Sequence, residues 1–138
     1  MGTIQPIKEI GEIARESGIY LHTDAVGAVG NYPIDVKEYN IDLLTISGHK
    51  LYAPKGIGAL YIRGAVKINT VQHGAAQERN IRAGTENVPG IIGLGKACEI
   101  ANREIDNKMI YLTRLRDKII QEDFKGRYPG SVSCYLFR

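Results

Sequence analysis

Lys50 follows an apolar run, Ile41 to Ile46, and a short turn, Ser47-Gly48-His49. An amine in that position stands where a buried strand ends, and in open α/β sheets that edge is where ligands collect. Taken out of water, a lysine ammonium releases its proton and becomes a nucleophile able to form a Schiff base with a carbonyl compound such as pyridoxal phosphate. Read alone, the tetrapeptide is equally a solvated lysine after a Ser-Gly turn. Its company changes that. Upstream, Ile19-Tyr20-Leu21 runs into His22-Thr23-Asp24-Ala25, a second apolar segment ending in polar groups. A carboxylate at the end of a neighbouring strand can pair with a protonated pyridine nitrogen and help the ring act as an electron sink. Read alone, Asp24 is a helix cap or a turn aspartate.

Positioning those two groups requires a particular order of elements. Pro6 suits a first helical turn, Ile7, Ile10, Ile13 and Ala14 share one face, and Gly18 is placed to stop the helix. A first strand is expected over 19–23, a short helical turn near 35–39, and a second strand over 43–47. Gly56 and Gly58 precede a third strand, Ala59 to Ile62, whose short connection suits an antiparallel neighbour. Residues 66–71 read as extended, and the polar stretch 72–86 as a loop. Asn87, with Pro89 in the first turn, opens a long helix to about residue 122. Its apolar spacing runs through Ile105, Met109, Leu112 and Ile119, interrupted by Arg116.

Composition bounds the function classes. The chain has 138 residues, 43% hydrophobic and 24% charged, with a formal net charge of +3. That is one domain's worth of chain, and no apolar run approaches the roughly 20 residues a membrane span requires. Basic residues are scattered, and Arg114 to Lys118 alternates with apolar residues as a solvated helix face would, so neither nucleic acid nor membrane is an expected partner. The two cysteines, Cys98 and Cys134, suit a reducing compartment, read here as cytoplasm, better than a disulfide framework. No His/Cys cluster suggests a metal.

The order of motifs carries more than any one of them. His22-Thr23-Asp24-Ala25-Val26, Gly30, Pro33-Ile34-Asp35, Ser47-Gly48-His49-Lys50, Pro54 to Tyr61, Gln77-Glu78-Arg79 and Arg82-Ala83-Gly84-Thr85-Glu86-Asn87 together resemble the cysteine desulfurases of the NifS/IscS type, class V aminotransferase relatives that use pyridoxal phosphate. The resemblance extends from about Met1 to Arg116. It implies an α/β fold: part of a fold-type I large domain over 1–122, three-layer α/β/α with a short, mainly parallel sheet and an antiparallel edge strand, then an irregular tail over 123–138 left from the small domain. It implies that Lys50 is the Schiff-base lysine, that Asp24 partners the pyridine nitrogen, that Ser47 and His49 contact the cofactor phosphate, and that Thr85 reaches the phosphate across a dimer interface. The substrate it implies is L-cysteine, converted to alanine with sulfur left as a persulfide for an Fe-S scaffold or another acceptor.

Departures from the pattern set further expectations. Gly27 stands where the family usually has a glutamine bonded to the cofactor's phenolic oxygen, and a glycine donates no side-chain bond. Ala75 and Ala76 replace usual glycines, and Ala83 a usual serine; positive φ at such places would strain an alanine. His22 could serve to orient Asp24, and His73 could lie near the substrate. Cys98 falls within a helical pattern and reads as a small hydrophobe, and Cys134 does not match the persulfide loop. The matching segment corresponds to the middle of a much longer family chain. As an isolated polypeptide the chain is therefore expected to be a non-catalytic remnant or a split-enzyme component that holds pyridoxal phosphate weakly, paired in a homodimer or with a complementing chain.

Overall fold

The computed structural model describes residues 4–121. The element order is helix α1 (Ile7–Glu16), strand β1 (His22–Asp24), strand β2 (Leu43–Ser47), a 3-10 turn (Gly48–Leu51), strand β3 (Gly58–Ile62), a 3-10 turn (Glu78–Asn80) and helix α2 (Val88–Ile119). The sheet order is β1-β2-β3, with β1 parallel and β3 antiparallel to β2. The mixed sheet with its antiparallel edge agrees with the expected fold class. The expected tail at 123–138, with Cys134, lies outside the described residues.

Asp42 organises the lower end of the sheet. It is 8% exposed; its Oδ2 accepts from the Leu21 amide at 2.9 Å and its Oδ1 lies 3.4 Å from Arg63 Nε. Arg63 in turn donates to the Ile41 carbonyl, so one carboxylate and one guanidinium pin the start of β2 to the start of β1 and the end of β3. Buried charge is tolerated in this way only when it is paired and hydrogen-bonded.

One face of the sheet carries the core. Leu44 packs with Ala25 and Ile41, joined by Ile7 from α1, and Ile46 adjoins both this cluster and a second one formed by Leu51, Ala53 and Leu94 of α2. The period of two along each strand sends His22, Asp24, Leu43, Thr45 and Ser47 to the opposite face. Both helices thus contribute to clusters on the Leu44–Ile46 side.

Several local expectations change. The first strand begins at His22, and Ile19 and Tyr20 are each 63% exposed. Gly18, with φ of +66°, ends α1, and the Ile19 amide is still held by the Ala14 carbonyl, so the apolar pair crosses the surface before Leu21 turns inward. Besides Ile7, α1 buries Gly11 while Ile10 and Ile13 stay exposed; a Cβ at Gly11 would collide with the Tyr39 carbonyl. Residues 66–71 form no strand; the segment ends in an isolated bridge between Gln72 and Arg82. Helix α2 is capped as expected, with Asn87 Oδ1 accepting from the Gly90 amide. Its buried stripe is Leu94, Ala97, Cys98 and Ala101, whereas Leu112 and Ile119 are exposed.

Candidate functional site

The carboxyl ends of β1 and β2 bring the expected chemistry to one edge. Asp24 is the last residue of β1 and is paired in register with Thr45; Ser47 is the last residue of β2, two positions further along the same face. The chain then tightens into the 3-10 turn that carries His49 and Lys50. That turn is closed by the Gly48 amide on the Ile57 carbonyl and by the Ala53 amide on the Gly48 carbonyl. Gly48 is required there, since a Cβ would lie 2.9 Å from the Ile57 carbonyl oxygen.

Each polar group is held by its own neighbourhood. The Val26 amide donates to Asp24 Oδ1 at 2.9 Å, an Asx turn that orients the exposed carboxylate. A hydrogen bond of 2.9 Å joins Ser47 Oγ to His49 Nδ1. His22 Nε2 meets Thr45 Oγ1 at 2.8 Å, so His22 is engaged across the strands and is not the group that orients Asp24. Sequence reasoning had no signal for Thr45; its part follows from the register that sets it beside Asp24.

The candidate groups stand open to water. Lys50, Asp24, His49 and Thr85 are all exposed. The removal from water that would free the Lys50 amine of its proton is therefore not supplied by the described residues. Thr85 lies in the connection before α2, near Gly84, whose amide donates to Gln77 Oε1.

The glycine-poor connection behaves differently from expectation. Ala75, Ala76 and Ala83 are not at positive φ, so alanine is not strained at these places. The left-handed residues are Glu78, Arg79 and Asn80, at φ of 46°, 59° and 64°. Ala83 is 5% exposed and packs close to Gly74, where a Cβ would come within 2.8 Å of it. A serine hydroxyl there would need a partner that the alanine methyl does not.

The family model "Aminotransferase class-V" matches residues 1–122. This chain belongs to that family. It is 64% identical over 121 residues to the cysteine desulfurase IscS of Methanosarcina thermophila and 57% identical over 122 residues to that of Dictyoglomus turgidum, covering 88% of this chain in each case. The chain spans only 30% and 31% of those relatives. Among solved structures it resembles the NifS-like protein from Rickettsia africae, with a TM-score of 0.85 and 34% identity over 93% of this chain and 35% of that one. It also resembles SspA in complex with cysteine, with a TM-score of 0.69 and 48% identity over 72% of this chain and 29% of that one. The NifS/IscS resemblance is thereby supported at high identity.

Proposed function

We propose that this chain is the lysine-bearing part of a pyridoxal-phosphate site that acts on L-cysteine, in the manner of a cysteine desulfurase. The observation that carries the reading is a carboxylate, Asp24, at the carboxyl end of β1 and an amine, Lys50, just past the carboxyl end of the parallel neighbour β2, which also carries the hydrogen-bonded Ser47–His49 pair. That donor set suits one side of a phosphorylated pyridine aldehyde: an amine for the aldehyde, a carboxylate for the ring nitrogen, and a hydroxyl with an imidazole for the phosphate. The names of the relatives favour cysteine as substrate.

Each residue then has a definite task. When bound, pyridoxal phosphate supplies an electron sink for charge developing at the substrate α-carbon. Asp24, fixed by the Val26 amide, would hold a proton at the ring nitrogen. Lys50 would anchor the cofactor through its amine, and the same amine would hold or move a proton at the substrate α-carbon. Ser47 and His49 hold the phosphate, and Thr85 adds a phosphate contact from a second copy in a homodimer. Because Lys50 is exposed, a further protein surface must cover the edge before its amine is desolvated. We assign no sulfur-accepting thiol, and place the protein in the cytoplasm with an Fe-S scaffold as one candidate acceptor.

Borohydride reduction tests the assignment. Purified chain incubated with pyridoxal phosphate and reduced should carry the label on Lys50, and Lys50→Ala should lose it. Labelling spread evenly over the lysines would overturn the site. Sulfide release from L-cysteine by the chain alone, abolished by Lys50→Ala, would overturn the need for a covering surface.

A further inference from the structure

The segments leaving Asp24 and Lys50 meet again behind the edge, and a residue with no role so far joins them. After β1, residues 25–32 form a helical turn, with the Val29 amide on the Ala25 carbonyl and the Tyr32 amide on the Ala28 carbonyl. This turn reaches Gly30, which is buried and at φ of +75°. After β2, the 3-10 turn ends at Tyr52, itself left-handed at φ of 63°. Gly30 is where three elements converge: a Cβ on it would collide with Leu51 Cδ2 and lie 3.3 Å from Ala101 Cβ of α2.

Lys108 sits two helical turns beyond Ala101 on α2, at the end of the buried stripe, and is half-buried. Its Nζ donates to the Gly30 carbonyl at 3.0 Å, and the same ammonium stands 5.4 Å from the centre of the Tyr52 ring. The first contact is a charge-assisted hydrogen bond and the second lies within the reach of a cation–π attraction. One cation on a rigid helix therefore engages both strand-end segments, one by a backbone acceptor and the other by an aromatic face. Tyr52 is 89% exposed, so among the described residues the ammonium is what its ring engages.

We propose that Lys108 is a positioning residue that couples the Asp24 segment to the Lys50 segment and so sets the separation of carboxylate and amine. Its importance for a ligand rests on the function proposed above; the coupling itself does not. A methionine in place of Lys108 keeps the length of the side chain and removes both contacts, whereas an arginine restores a cation that can donate to a carbonyl and lie against a ring.

Hydrogen exchange read by mass spectrometry on the full chain separates the two claims. In Lys108→Met, amides in segments 25–32 and 48–53 should exchange faster together, by about tenfold, the size of losing one charge-assisted hydrogen bond. Amides of α1 should be unchanged, and Lys108→Arg should restore both segments. Loosening of one segment alone, of neither, or of the whole chain uniformly would overturn the coupling. Tyr52→Leu should loosen 48–53 by about twofold and leave Gly30 protected, since only the weaker contact is lost. With pyridoxal phosphate present, Lys108→Met should raise the half-saturating concentration for Lys50 labelling about tenfold, and arginine should recover it. Absence of Lys50 labelling in the unsubstituted chain, with both segments loosened in Lys108→Met, would defeat the site and leave the coupling standing.

Discussion

The two faces of the sheet are organised by different physics. On the Leu44–Ile46 face, helices and loops interlock through apolar contacts distant in sequence, and Ile41, Ala25 and Leu44 are at most 3% exposed. On the His22–Asp24–Ser47 face, every bond that orients a functional group spans one pair of strands or one turn, and the groups stay accessible to water. The first face makes the chain fold. The second presents pre-oriented donors to something outside it, which is what preorganisation in a binding site requires.

Truncating a residue on each face should expose that difference most sharply. Leu44→Ala removes a buried side chain at the centre of the first cluster and should lower unfolding stability by about 2–5 kcal/mol in urea titration. Lys50→Ala, at an exposed position, should stay within about 0.5 kcal/mol of the parent while abolishing the borohydride label. Equal losses for the two would erase the division between a folding face and a chemical face.

Gly48 lies on the boundary. It is buried, and a Cβ would meet Ile57 Cγ2 at 2.7 Å and the Ile57 carbonyl oxygen at 2.9 Å. Since a backbone atom cannot yield as a side chain does, Gly48→Ala should cost about 1–3 kcal/mol through overpacking and should also shift the Lys50 turn. Lost labelling accompanied by lost stability is the expected signature here, in contrast to Lys50→Ala. Unchanged labelling despite the stability loss would show that the turn tolerates displacement.

Thr45→Val probes the open face with little volume change. It removes the hydroxyl that engages His22 and should cost about 0.5–1.5 kcal/mol or less, because the bond is exposed. Its clearer readout is the His22 imidazole resonance, which should move toward that of a free histidine. A shift at His49 in place of His22 would mean that the two polar pairs are linked, which the separate bonds do not indicate.

The same division explains what was legible in the sequence. Strands β2 and β3, the antiparallel pairing and the Asn87 cap followed from apolar runs and capping chemistry, which are local. The placement of Asp24 and Lys50 at the ends of β1 and β2 was legible because their motifs end apolar segments. Ile19 and Tyr20 misled, since an apolar triplet does not say which of its members turns inward, and Asp42 decides that by holding Leu21. The Gly11 contact was hidden because it depends on a carbonyl brought there by a distant turn at Tyr39. Thr45 and Lys108 gained roles only from register and from the meeting of loops far apart in the chain, neither of which periodicity encodes.

Asp35 tests whether the turns beneath the folding face matter at all. Its Oδ1 accepts from the Lys37 and Glu38 amides, and these two backbone bonds, that of Glu38 first, hold its carboxyl below the ordinary carboxylate value. A carboxylate whose folded value is depressed adds stability that is present above its unfolded value and is lost as pH falls through the folded one. The turn it caps delivers the Tyr39 carbonyl to Gly11, so Asp35→Ala should lower the melting temperature slightly at neutral pH. The difference between variant and parent should shrink as the pH falls below the ordinary carboxylate range. A difference that stayed constant well below that range would assign the effect to backbone propensity in place of the charge, and the turn would then belong with the apolar face and not with the titrating groups.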